Sequence, residues 1–172
     1  MTIATAKRRL DTIRSMPRTM TPDERRATSI TKVRKGGFIR YQGVVYRVEL
    51  LNRYHADGDD WFELKLLSLK DNSTLFMEWE EDDGVEIQVT IQTAPLSRFT
   101  SLNPDLLDEM DNEEDGFFVH EGRTFWYDES DQAQFYKDGG SEPQTYYYWD
   151  FVDDNEDTFI GVEKWGPGEY QV

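Results

Sequence analysis

Trp61-Phe62-Glu63-Leu64-Lys65-Leu66-Leu67-Ser68, followed by Thr74-Leu75-Phe76-Met77-Glu78-Trp79-Glu80, is the stretch that decides the fold. It has a counterpart downstream, YYYWDFVD at 146–153 and TFIGVEKW at 158–165. Leu75, Met77 and Glu78 meet Ile160, Val162 and Glu163 at a shift of 85 residues. Upstream, Gly37-Phe38, Gly43 and Tyr46 return as Gly116-Phe117, Gly122 and Phe125 at a shift of 79. A longer loop near Gly139-Gly140 absorbs the difference between the two shifts. Self-similarity of this kind is the first thing to settle about a fold. It predicts a mainly β chain, with two similar antiparallel units forming one body: residues 37–92, a helical connector at 95–115, and residues 116–172.

Aligning the two copies sharpens the faces of the strands. Phe62, Leu64 and Leu66 match Tyr147, Trp149 and Phe151, apolar in both, and are expected in the core. Trp61, Glu63 and Lys65 match Tyr146, Tyr148 and Asp150, mixed in both, and are expected to face outward. A slip of one residue would exchange the two sets, so the repeat constrains register. Leu75 and Met77, like Ile160 and Val162, continue the core stripe, and Val85, Ile87, Val89 and Ile91 alternate as a further strand. Gln42-Gly43 and Glu121-Gly122, each between β-rich runs, are hairpin signals.

Residues 1–35 read differently, as a basic helical arm. Ile3, Ala6, Leu10 and Ile13 recur at helical spacing over 3–15 among Lys7, Arg8, Arg9 and Arg14, and Pro17 ends the pattern. Thr21-Pro22-Asp23-Glu24 has the order of a second helix start: a capping hydroxyl, proline in the first turn, then acids at the positive end of the dipole. Asn103-Pro104 starts the connector helix through Leu106, Leu107 and Met110.

Charge divides the chain along the same line. Residues 1–40 hold 11 Lys or Arg against 3 acids, a balance of +8, and residues 41–172 hold 8 against 32, a balance of −24. An acidic body repels nucleic acid phosphates and attracts cations or basic partners. The 172 residues contain no cysteine, which excludes disulfides, thiolate metal sites and a cysteine nucleophile. No apolar run approaches the ~20 residues needed to span a bilayer, and no apolar signal segment follows Met1, so a soluble cytoplasmic protein is expected.

"GVVYRV", "WFELKLLS", "TLFMEWE" and "YYYWDFVDDNEDTFIGVEKWGPGEYQV" resemble the bacterial and archaeal domain-of-unknown-function 4178 family. Its short β units run as glycine, two residues, Tyr or Phe, then an aromatic-rich strand, then a leucine-type strand ending in Glu. The resemblance covers about residues 36–172 and implies an all-β body. It also implies, by association, genes of membrane stress or of polyamine and peptide-ligase systems. It supplies no catalytic residue, and the arm lies outside it.

Catalytic constellations are scarce. His55 stands near Asp57, Asp59 and Asp60, a set that could ligate a metal and equally the composition of a solvated hairpin loop. His120 matches Tyr41 and reads as structural. There is no phosphate-binding glycine loop and no marked nucleophile–base pair. Neither a cofactor nor a metal site is expected. Glu78 and Glu163 are equivalent in the two copies; paired carboxylates of that kind could serve an unrecognised enzyme, or act as cross-strand partners. Aromatics make up 14% of the chain, more than a core of this pattern absorbs. Outward aromatics among acids attract cations through ring quadrupole and charge together. Trp61, Glu63, Glu78, Tyr146, Tyr148 and Glu163 are therefore the expected ligand-binding residues of a non-enzymatic binding or adaptor module. Its partner would be a cationic small molecule or a basic protein segment, with the arm on a partner protein or an anionic membrane. The alternative is an acidic mimic of nucleic acid that inhibits a DNA- or RNA-binding protein.

Overall fold

The computed structural model describes Thr21, Asp23, Glu24, residues 28–81 and residues 84–172. The expected helix over 3–15 lies outside the described residues. At Thr21 the expected helix start has the reciprocal bonds of a capping box: the Thr21 N–H donates to Glu24 Oε2 at 2.7 Å, and the Glu24 N–H donates to Thr21 Oγ1 at 3.2 Å.

The described residues then form ten strands: β1 (Phe38–Tyr41), β2 (Val44–Ala56), β3 (Asp59–Ser68), β4 (Thr74–Glu81), β5 (Val85–Thr90), β6 (Phe117–His120), β7 (Arg123–Tyr136), β8 (Gln144–Asp153), β9 (Phe159–Gly166) and β10 (Glu169–Gln171). Helix α1 (Pro104–Glu113) precedes β6. The fold is mainly β, in one antiparallel sheet of order β10-β9-β8-β7-β2-β3-β4-β5, with β1 on β2 and β6 on β7.

Turn chemistry places the hairpins. Gln42 and Gly43 both have positive φ (46° and 79°), as do Glu121 and Gly122 (51° and 79°). Two consecutive left-handed residues twist the chain in the sense that flanking strands require. The ladders that result have the same register. Phe38 faces Arg47 and Tyr41 faces Val44; 79 residues on, Phe117 faces Trp126 and His120 faces Arg123. β3 and β4 begin and end 85 residues before β8 and β9.

The chain forms two compact units, one of the described residues up to Leu51 with Glu63–Val89, the other of Asn52–Phe62 with Thr90–Val172. In the first, Leu64, Leu66, Leu75 and Met77 are buried, as alternation predicts, and Val48 is buried with them; Phe62, expected in the same core set, is only half-buried. Trp79 is buried with them. The alternating strand β5 differs: Val85 and Ile87 are both exposed, because β5 ends the sheet order and both its faces meet solvent there.

In the second unit, Tyr147, Trp149 and Phe151 of β8 and Val162 of β9 face a core closed by Leu96, Phe99, Leu102, Leu107 and Met110. Asn103 caps α1, its Oδ1 accepting from the Leu106 N–H at 3.1 Å. Asp111, near the other end of α1, ties the helix to the sheet by accepting from Ser130 Oγ and from the Tyr147 hydroxyl. Gly116 leaves the helix with φ 138°, and a Cβ there would lie 2.8 Å from Met110 Cγ, so backbone and packing both demand glycine. His120 packs on Phe99 with the ring centroids 4.3 Å apart and the planes tilted by 31°, a packing role as expected.

The ladder between β7 and β8 is interrupted by a bulge between Tyr127 and Glu129. Phe125 and Tyr127 pack with Phe151 toward α1, but beyond the bulge Ser130 joins that side and Glu129, Asp131 and Ala133 move to the other. One extra residue reverses the parity of everything after it.

Candidate functional site

The side of β7, β8 and β9 away from α1 carries residues from rows set by strand pairing. Glu129 faces Asp150, which faces Gly161; two residues on, Asp131 faces Tyr148, which faces Glu163. Ala133 faces Tyr146 in the row after that. Tyr54 of β2 and Trp61 of β3 reach the same cluster, because Arg53, Tyr54 and His55 pair with Tyr136, Phe135 and Gln134 of β7.

The aromatics pack ring on ring. Tyr54 stacks on Trp61 (5.4 Å between centroids, planes 7° apart), and Tyr146 stacks on Trp165 (4.6 Å, 16°). Tyr148 meets Trp61 edge-on at 6.3 Å and lies tilted against Tyr146 at 6.1 Å. Tyr54 and Trp165 both touch Phe135. The expected outward position of Tyr146 is corrected here. It lies on the outward face but is only 5% exposed, because Tyr54 and Trp165 cover it and shed apolar surface in doing so. Trp61 and Tyr148 remain half-buried at the edge of the cluster.

Carboxylates adjoin these rings. Trp165 Nε1 donates to Glu163 Oε2 at 2.9 Å, and the Tyr148 hydroxyl donates to Glu129 Oε1 at 3.3 Å. Asp150 sits between Glu129 and Gly161, and its Oδ1 lies 3.1 Å from where a Cβ of Gly161 would stand. A larger residue at 161 would displace the carboxylate. Burial, then the like charges of Glu129, Asp128 and Glu163, push Asp150 up to about 7. Burial also raises Glu163, against the lowering effect of the Trp165 donor. The Tyr148 hydroxyl is pushed well above its ordinary value by burial and by Glu129, Asp150 and Asp131. All three shifts run upward: burial drives each, and neighbouring negative charge adds to it at Asp150 and Tyr148.

Of the six residues expected from sequence, Trp61, Tyr146, Tyr148 and Glu163 come together here. Glu63 on β3 and half-buried Glu78 on β4 belong to the first unit, and the expected outward position of Glu63 is also corrected: it is buried, at 8% exposed. Asp150, Glu129 and Trp165 were missed. Asp150 lay in the outward series, and Trp165 follows Glu163 by one strand period, so both were within reach of alternation. Glu129 had no signal, since its side depends on the bulge. His55 bonds Asp60 at 2.9 Å through Nδ1, and Arg53 shares the same carboxylate oxygen at 2.9 Å, so the Asp60 charge already faces a guanidinium. Among the described residues no group of three or more His, Asp or Glu is placed to hold a metal ion, and no helix is long and apolar enough to cross a membrane.

No curated protein and no solved structure matches the chain. One family model does, over residues 34–172, which takes in every strand and every residue of this face: the chain belongs to the domain-of-unknown-function family DUF4178.

Proposed function

We propose that the chain is a non-enzymatic binding module whose acidic, aromatic face in the second unit takes a cationic ligand. The observation that carries this reading is Asp150. It is a half-buried carboxylate flanked by Glu129 and Glu163, raised to about 7, with the rings of Tyr148, Trp61 and Trp165 in the adjoining cluster. A bound ammonium or guanidinium would relieve the repulsion among the acids and lie against ring faces. The paired registers of β1–β2 and β6–β7, and the equal offsets of β3–β4 and β8–β9, support reading the two halves as an internal repeat in which only the second copy built this face. The +8 balance of residues 1–40 supports the basic arm meeting a partner protein or an anionic membrane.

The test is calorimetry with spermidine, at low and high salt, on the native protein, Asp150→Asn and Tyr148→Ala. Exposed cation–π contacts contribute only ~0.5–1 kcal/mol each, so Tyr148→Ala should weaken binding about two- to fivefold. Salt should weaken native binding, since charges near the surface are screened beyond ~8 Å. Equal binding by all three proteins would reduce the effect to bulk charge. One other observation favours a second reading, an acidic mimic of nucleic acid: the −24 balance of residues 41–172. Displacement of a basic DNA-binding protein from DNA, unaffected by Asp150→Asn, would select it.

A further inference from the structure

The same face has a second chemistry at its other end. Phe117 pairs with Trp126, Trp126 with Val152, and Val152 with Phe159, so four neighbouring strands of the second unit contribute one unbroken apolar row. Trp126 lies on the side away from α1, because its neighbours Phe125 and Tyr127 pack toward the helix. Phe117, Trp126 and Phe159 are 52%, 42% and 48% exposed, and the first two rings lie 5.0 Å apart. Scattered surface apolar residues need no explanation; a contiguous row of large ones marks an interaction site. The fold does not require it. At the same offsets in the first unit stand Phe38, Arg47, Leu67 and Thr74, with a guanidinium in place of the indole and a hydroxyl in place of the last ring.

Two residues further along β8 and β9, about 7 Å away, lie Asp150 and Gly161, with Glu129 beside them. Exposed acids rim the row as well. Trp126 Nε1 donates to Asp154 at 2.7 Å, and Glu156 and Asp157 follow in the β8–β9 turn. An apolar row edged by carboxylates repels an anionic lipid surface and another acidic body alike. It complements a segment whose apolar side chains alternate with cationic ones.

We infer that the Phe117–Trp126–Val152–Phe159 row is the anchor subsite of the cation-binding face, and that the ligand is a basic protein segment carrying an apolar side chain about 7 Å from its Lys or Arg, not a free polyamine. This rests on the reading of Asp150 and its neighbours as the cation site. The segment's apolar group covers the row while its cation meets Asp150 and Glu163.

The test uses the full chain and two short fluorescent peptides with equal numbers of lysines. One carries Phe at alternate positions; the other carries Ser there. Anisotropy should show the Phe peptide binding about tenfold more tightly, the effect of burying one large side chain. Phe117→Ser with Phe159→Ser should reduce that preference to under about twofold, while leaving spermidine binding and the thermal melt unchanged. Asp150→Asn should weaken both peptides and spermidine. Equal binding of the two peptides by the native chain overturns the anchor and leaves the cation site standing. A retained Phe preference without spermidine binding overturns the cation site and leaves the row. A concentration-dependent dimer in sedimentation, abolished by the double serine variant and indifferent to either peptide, overturns the proposal by assigning the row to a second copy.

Discussion

The two units share a hairpin and differ in what they carry on it. β1–β2 and β6–β7 have the same turn geometry and register, yet the residue opposite Phe38 is Arg47 and the residue opposite Phe117 is Trp126. Leu64 and Leu66 of β3 correspond to Trp149 and Phe151 of β8, apolar and buried in both. On the other side, Glu63 and Lys65 correspond to Tyr148 and Asp150. Positions that build the sheet are alike in kind in the two units, while positions on the opposite face carry a glutamate and a lysine in the first and an acidic aromatic cluster in the second. The residues that differ between the units are therefore the ones to test for ligand binding, and the residues that agree are the ones to test for stability.

The largest effects should fall where the units agree. Leu64→Ala should cost ~2–5 kcal/mol and Phe151→Ala ~3–5 kcal/mol in a denaturant titration, since both side chains are fully buried. A near-zero loss at either would break the equivalence of the two core faces. Next is a change that only one unit should show. Asp150 holds a proton in the folded chain up to about pH 7, whereas the free carboxyl loses it near 3.8. Native stability should therefore fall as pH rises through that window, with the penalty complete above it. Asp150→Asn should match the native protein near pH 4 and melt at a higher temperature at pH 8, while Lys65→Met, at the corresponding position, should leave the pH profile unchanged. The same proton must leave when a cation binds, so affinity for spermidine should rise from pH 6 to pH 8. The smallest effect should be the most nearly equal. Gly43→Ala and Gly122→Ala each put a Cβ on a residue at φ 79° with open space around it, so each should cost ~1–2 kcal/mol of backbone strain. A difference between them larger than the uncertainty of the titration would mean the two turns are not under the same constraint.

Much of the fold could be read before any coordinates. Period two in β3, β4, β8 and β9 gave the core faces except at Glu63 and Tyr146, which are buried on the side expected to face outward, the dipeptides Gln42-Gly43 and Glu121-Gly122 gave the hairpins, and Asn103-Pro104 gave the start of α1. These signals are local: which side a residue faces, or whether φ can be positive, depends on a few neighbours in the chain. The candidate face was only half legible for the same reason. Alternation put Trp61, Tyr148 and Glu163 on the outward side, but outward in one strand does not say which other strand's side chains lie beside it. Tyr146 was expected at the surface and is covered by Tyr54 and Trp165, from β2 and β9.

The sequence by itself determined the strands, their turns and which residues of β3 and β8 meet a core, because those follow from side-chain alternation and from glycine at left-handed positions. The tertiary structure alone decided that β2 would pair with β7, that Asp128 would be left over in a bulge, and hence that Glu129, Asp150 and Glu163 would stand in neighbouring rows beside the aromatic rings. Cross-strand partners are set by pairing between segments far apart in the chain, and a bulge turns one unpaired residue into a change of face for everything after it.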